Sequence, residues 1–122
     1  MTQDEQDCFN KLQAWIARFD ELMSLYERDR PFVPSAQVAR ARDLYAKLKA
    51  DLDIEQRRLN NSRLRHTEAE RRWYATTLHS ARGHLRAPTN ARPEIWHSDL
   101  YNSRGDFVMD LLAMKQHFSD AD

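Results

Sequence analysis

Apolar residues near the start of the chain recur at alternating intervals of three and four: Phe9, Leu12, Ile16, Phe19, Met23 and Tyr26. Cys8, Trp15 and Leu22 form a parallel set seven apart. A period near 3.6 is that of an amphipathic helix. The stripe is wider than a two-stranded seam requires, so a helix over about 3–28 is expected to pack against two neighbours. Thr2-Gln3-Asp4-Glu5 has the form of a capping box, in which hydroxyl and carboxylate each satisfy an amide of the first turn. Arg28 and Arg30 stand at the far end, where cations complement the helix dipole.

Arg30-Pro31-Phe32-Val33-Pro34 breaks that pattern, because proline lacks an amide donor and restricts the residue before it. Ser35 stands at an N-cap position. Val38, Ala41, Tyr45, Leu48 and Leu52 then mark a second helix over about 36–59, antiparallel to the first.

The stretch RRLNNSRLRHTEAERRWY, residues 57–74, carries two opposed signals. Asn60, Asn61 and Ser62 are weak helix formers in a row, and Thr67-Glu68-Ala69-Glu70 is a second capping box, so the local chemistry indicates a break. The seven-residue register of Tyr45, Leu52, Leu59, His66 and Trp73 runs straight through, and no Gly or Pro interrupts it. A break gives a third helix over about 67–86, faced by Trp73, Tyr74, Leu78, Ala81 and Leu85. No break gives one helix over 35–86, roughly 78 Å long.

Pro88 stops the segment, and Pro93 suits the first position of a last helix over about 94–118. Gly105 is expected to interrupt or bend it, with Ser103 and Asp106 offering a fresh cap, and the residues after 118 to fray. The expected fold is all-α, an antiparallel bundle of three to four helices in one domain spanning 1–122, with the continuous 35–86 helix as the alternative.

Composition agrees. The chain has only two glycines and four prolines, too few for the turns of a sheet protein of 122 residues. Cys8 is the only cysteine, so no internal disulfide and no cysteine zinc site is possible. There is no apolar run long enough to span a membrane and no apolar signal core behind the acidic start, which together imply a cytoplasmic protein.

Net charge is zero but unevenly placed. Residues 1–55 carry 8 basic and 11 acidic groups, residues 56–86 carry 8 and 2, and residues 87–122 carry 3 and 6. A basic centre between acidic flanks is either a partner site or internal neutralisation. Arg58, Arg65, Arg72, His79 and Arg86 recur every seven residues, a ladder on a continuous helix and a scattered set if the chain turns.

Candidate chemistry is thin. There is no nucleophile elbow, phosphate-cradling glycine loop or zinc-binding His-Glu pattern. His66 and Glu70 are one turn apart, as are Asp51 and Glu55, and Asp106 and Asp110, but no further group converges on any pair. The expectation is therefore no catalysis, no metal and no cofactor. What remains is a surface of Arg58, Arg63, Arg65, Arg71, Arg72, Trp73, Arg82 and Arg86, offered to a protein with an acidic surface. Nucleic acid, through phosphate contacts and stacking, is the alternative partner, and a homodimer is a third arrangement.

Overall fold

The first capping box closes as the sequence requires. In this computed structural model, which describes residues 1–61 and 66–121 (120 and 121 as backbone only), the Glu5 amide donates to Thr2 Oγ1 at 3.2 Å and the Thr2 amide donates to the Glu5 carboxylate at 2.9 Å. Helix α1 runs Gln3–Met23. It stops a turn short of the expected end at 28, although Tyr26 keeps the helical spacing. Tyr26 instead turns inward and donates its hydroxyl to the Pro93 carbonyl at 2.6 Å. The chain reverses through a turn closed by Glu27 N–H to the Phe32 carbonyl (2.7 Å), with Asp29 at φ 61°. A tertiary anchor outweighs local propensity here.

Ser35 opens a short 3-10 turn, Ser35–Gln37, and makes no side-chain cap, contrary to expectation. Helix α2 follows over Val38–Asn60. Asn61 is extended, with ψ 107°, and neither His66 nor Thr67 is helical. The continuous 35–86 helix is thereby excluded. Re-entry occurs at Thr67, whose Oγ1 accepts from the Glu70 amide (3.0 Å) while the Glu70 carboxylate accepts from the Thr67 amide (3.2 Å). The second capping box is as real as the first.

The third helix opens at Glu68 and Ala69, passes at once into a π-helical turn, Glu70–Tyr74, and continues as α3 over Ala75–His84. The Ala75 amide donates to the Glu70 carbonyl, five residues back. Ala69 and Tyr74 are both buried. In a regular α-helix, residues five apart point about 140° from one another, and the wider turn lets both face the interior.

Helix α4 spans Pro93–Ala121, with Pro93 in first place as predicted. It runs unbroken through Gly105 and is still helical at Ser119. The two residues expected to cap a new start are engaged elsewhere: Ser103 donates to the Ala81 carbonyl (2.8 Å), and Asp106 accepts from Ser80 (2.7 Å).

The pairing of residues between neighbouring helices sets their directions. Lys11–Glu55, Arg18–Asp51 and Glu21–Arg40 join α1 to α2 in antiparallel order. Asp53–Arg82 and Arg58–Glu70 join α2 to the third helix, Thr77–Asp110 and His84–Asp106 join α3 to α4, and Asp20–Arg104 and Trp15–Phe107 join α4 back to α1, all antiparallel. This is an up-down-up-down four-helix bundle. Its interior is built from Leu12, Phe19, Leu22, Tyr45, Leu48, Leu52, Tyr74, Leu78, Trp96, Leu100, Phe107 and Met114, each at most 2% exposed. Trp96 stacks on Tyr45 at 4.2 Å and donates to the Pro88 carbonyl, while the Tyr45 hydroxyl donates to Ala87, so one aromatic pair fixes the α3–α4 link.

Gly83 and Gly105 both lie inside helices, and a Cβ at either position would meet nothing within 4 Å. Replacing each with Ala removes unfolded-chain entropy at no steric cost. Gly83→Ala and Gly105→Ala should each raise urea-unfolding stability by about 0.5–1 kcal/mol at low protein concentration. A loss of stability would mean that the backbone at these positions is not helical.

Candidate interaction site

The basic segment divides into two populations. The first is turned into the fold. Glu70 is only 7% exposed, and its Oε2 accepts from the Arg58 guanidinium and from Lys11 Nζ at 3.2 Å. Arg58 also holds Glu55 through two donors at 2.6 and 3.0 Å, and Lys11 lies 3.8 Å from the same Glu55. Two cations and two carboxylates, drawn from α1, α2 and the π-turn, thus close a square where three elements meet. Arg82 makes a similar link, donating to Asp53 of α2 at 2.8 Å. Arg58 and Arg82, both among the expected partner-binding residues, are therefore bonded across the bundle.

Burial acts to raise the Glu70 pKa. The bonds from Arg58, the Thr67 amide and Lys11 outweigh it and bring the carboxyl down to about 2. Arg58 is correspondingly pushed up, chiefly by its bond to Glu55. Cys8 lies beside this cluster; burial, with the Glu70 charge, raises its thiol to about 11, so it is a packed side chain and not a nucleophile at neutral pH. The Lys11 ammonium also sits 5.2 Å from the centre of the Tyr74 ring, whose hydroxyl accepts from Trp15 Nε1 at 2.5 Å.

The second population faces outward. Arg71 and Arg72 are exposed. The Arg72 guanidinium carbon stands 4.8 Å from the centre of the half-buried Trp73 ring. Trp73 in turn packs against His117 and Phe118 near the end of α4, at 5.3 and 6.4 Å between centroids. Arg71 donates to the His66 carbonyl at 3.3 Å, which aims it along the helix start. Beside this aromatic platform lies a groove whose walls are Thr2, Asp4, Glu5, Glu68, Ala69, Arg72 and Trp73. Arg86 is exposed past the other end of α3 and donates to the Gly83 carbonyl at 3.0 Å. It stands apart from the Arg71–Trp73 group, and Arg63 and Arg65 lie outside the described residues.

Among the described residues no group of three or more His, Cys, Asp or Glu side chains is placed to hold a metal ion. His66 turns its Nε2 to the Arg58 carbonyl at 3.2 Å, and not toward Glu70. Asp106 receives Ser80 (2.7 Å) and His84 (3.0 Å), and the neighbouring half-buried Asp110, its pKa raised by burial, receives Thr77 (2.6 Å). Both serine and histidine address the carboxylate and not each other, so this is a helix-to-helix clasp and not a nucleophile with its base. Trp15 and Trp96 are packing residues.

The sequence did not reveal the Glu70 square, because its members are 59, 12 and 3 residues apart. Its local traces were the i,i+3 spacing of Glu55 and Arg58 and the capping box that places Glu70 at the start of a helix. No family model, no curated protein and no solved structure matches this chain, so its function is argued from the site itself.

Glu70→Gln removes the charge while keeping the capping pattern, since Gln serves equally at that position. With the folded pKa at about 2 against an ordinary 4.5, the ionised form contributes stability above pH 4.5 that is lost as pH falls toward 2. The variant should be less stable than wild type by about 3 kcal/mol at neutral pH. That gap should narrow as the pH is lowered from 5 to 2 in urea titrations. An equal gap at both ends would show that the charge is not what matters.

Proposed function

We propose that the protein is a non-enzymatic protein–protein interaction module, an adaptor or small inhibitor, that offers an arginine–aromatic patch on the third helix to an acidic surface of its partner. The observation that carries this reading is the arrangement at the π-turn. The Arg72 guanidinium stands over the Trp73 ring, Arg71 is exposed beside it, and His117 and Phe118 pack against the ring. A guanidinium held against an indole is already oriented, so less side-chain freedom is lost when it meets a carboxylate. Arg and Trp are the residue types that dominate binding hot spots. π-Turns recur where a helix must aim side chains for function.

Of the eight residues that the sequence nominated, Arg71, Arg72 and Trp73 form the contact in this proposal. Arg58 and Arg82 hold the platform in place through their bonds to Glu70 and Asp53. Arg86 would extend the surface only to a partner long enough to follow α3.

The groove wall favours a protein over a nucleic acid. Asp4, Glu5 and Glu68 line the same groove as Arg72 and Trp73. A polyanion with a charge every 1.7 Å or so would meet those carboxylates wherever it met the arginine. A partner with one or two placed carboxylates and an apolar edge fits both signs.

The test compares wild type with Arg72→Glu and Trp73→Ala in affinity capture from the native host, followed by titration of the recovered protein. The expected result is one stoichiometric partner whose affinity falls at least about a hundredfold in either variant, with the melting temperature little changed in Arg72→Glu and lowered in Trp73→Ala by the packing lost against His117 and Phe118. Retention of that partner by both variants would overturn the assignment. So would salt-dependent binding of wild type to duplex or single-stranded nucleic acid that the two substitutions abolish.

A further inference from the structure

A bundle helix exposes one face and buries the other, and its exposed face is ordinarily charged. Helix α4 departs from this. Its exposed side chains between 95 and 119 are uncharged with the exception of Lys115, in a chain that is 31% charged. Four of them are large: Tyr101 is 64% exposed, Met109 68%, Ile95 53% and Leu112 52%. Tyr101, Gly105, Met109 and Leu112 follow one another at intervals of four, four and three, so they share one face, opposite the buried Trp96, Leu100, Phe107 and Met114. Helix α4 is therefore apolar on two opposite sides, the pattern of a helix covered on both.

We propose that the outer face of α4 seats a second copy of this chain, with the two α4 helices antiparallel and Gly105 at the two-fold axis. The face is self-complementary about that glycine. Four residues to either side stand Tyr101 and Met109, so each copy would set an aromatic ring against the thioether of the other, a favourable contact. Seven residues to either side stand Ser98 and Leu112, a small side chain opposite a large one. At the axis a residue meets its own copy, and Gly105, with open space where a Cβ would be, lets the backbones approach most closely there.

Charge points the same way. The chain is neutral overall and the face carries almost no charge, so nothing repels a second copy and nothing on this face selects a charged foreign partner. Across the shallow groove that separates Met109 from α3, the exposed Thr76 and Ser80 are uncharged, and the two carboxylates in that groove, Asp106 and Asp110, are half-buried and held by the hydroxyls of Ser80 and Thr77. A strip of helix from 95 to 116, about 32 Å long, buries on the order of 1,000 Å² in total across two copies, the size of a weak, concentration-dependent dimer.

This arrangement is independent of the arginine–tryptophan patch, and sedimentation velocity from low to high micromolar protein tests it. Wild type should pass from monomer to dimer, equally at low and high salt because the contact is uncharged. Met109→Glu or Leu112→Glu should weaken association at least about tenfold. Both side chains are exposed, so circular-dichroism melting should show the fold intact at low concentration. In a Cys8→Ser background, Gly105→Cys should oxidise to a covalent dimer, whereas Ala17→Cys, exposed on α1, should not at the same concentration. A monomer at every concentration would overturn the proposal. Association that survives both glutamate substitutions, association abolished by salt, or a different host protein seated on α4 while the chain stays monomeric would overturn it equally.

Discussion

Glu70 brings an ionised carboxylate into a junction where it is only 7% exposed, and the architecture around it answers that one charge. Burying an unpaired carboxylate costs several kcal/mol, so the group persists as an anion only if donors converge on it. They come from three directions: Lys11 of α1, Arg58 near the end of α2, and the Thr67 amide at the start of the third helix. Each of these elements is thereby fixed relative to the other two. The extra residue of the π-turn follows from the same constraint, because Ala69, Glu70 and Tyr74 must all face inward within six positions. With those three turned in, Arg71 and Arg72 can only face out.

The site and the scaffold are thus one arrangement seen from two sides. The arginines that the bundle draws inward, Arg58 and Arg82, bond α2 to the third helix. The arginines that it leaves outside are held in a defined place because their neighbours are not free to move. Helix α4 completes the platform through His117 and Phe118 and leaves its own outer side with Lys115 as its one exposed charge between 95 and 119. Two surfaces of different character result: a polar aromatic one on the third helix and an apolar one on α4.

Most local signals were legible in the sequence, the caps expected at Ser35 and Ser103 being exceptions, and long-range ones were not. Both capping boxes, the proline break after Arg30 and the start at Pro93 depend on atoms within a few residues, and each stands where the chain places it. The end of α1 was misread because Tyr26 obeys the helical period yet is held by Pro93, 67 residues away. Gly105 was misread because a glycine weakens a helix only modestly, and the packing of α4 along α1 and α3 outweighs that. The arginine column every seven residues looked like a ladder because it assumed a straight helix through Asn61. The turn sends Arg58 back toward Glu70 instead, a pairing that neither residue's local spacing announces.

The Arg58–Glu70 bond couples α2 to the third helix. A double-mutant cycle on stability tests it most directly, using Arg58→Met, Glu70→Gln and the pair together at neutral pH. A coupled pair predicts that the double variant is more stable than the sum of the single losses implies, by about 1–3 kcal/mol, since each single change leaves the partner short of a counter-charge, with only Glu55 left to Arg58 or only Lys11 left to Glu70. Additive losses within about 0.5 kcal/mol would contradict the claim and reduce the square to a surface contact.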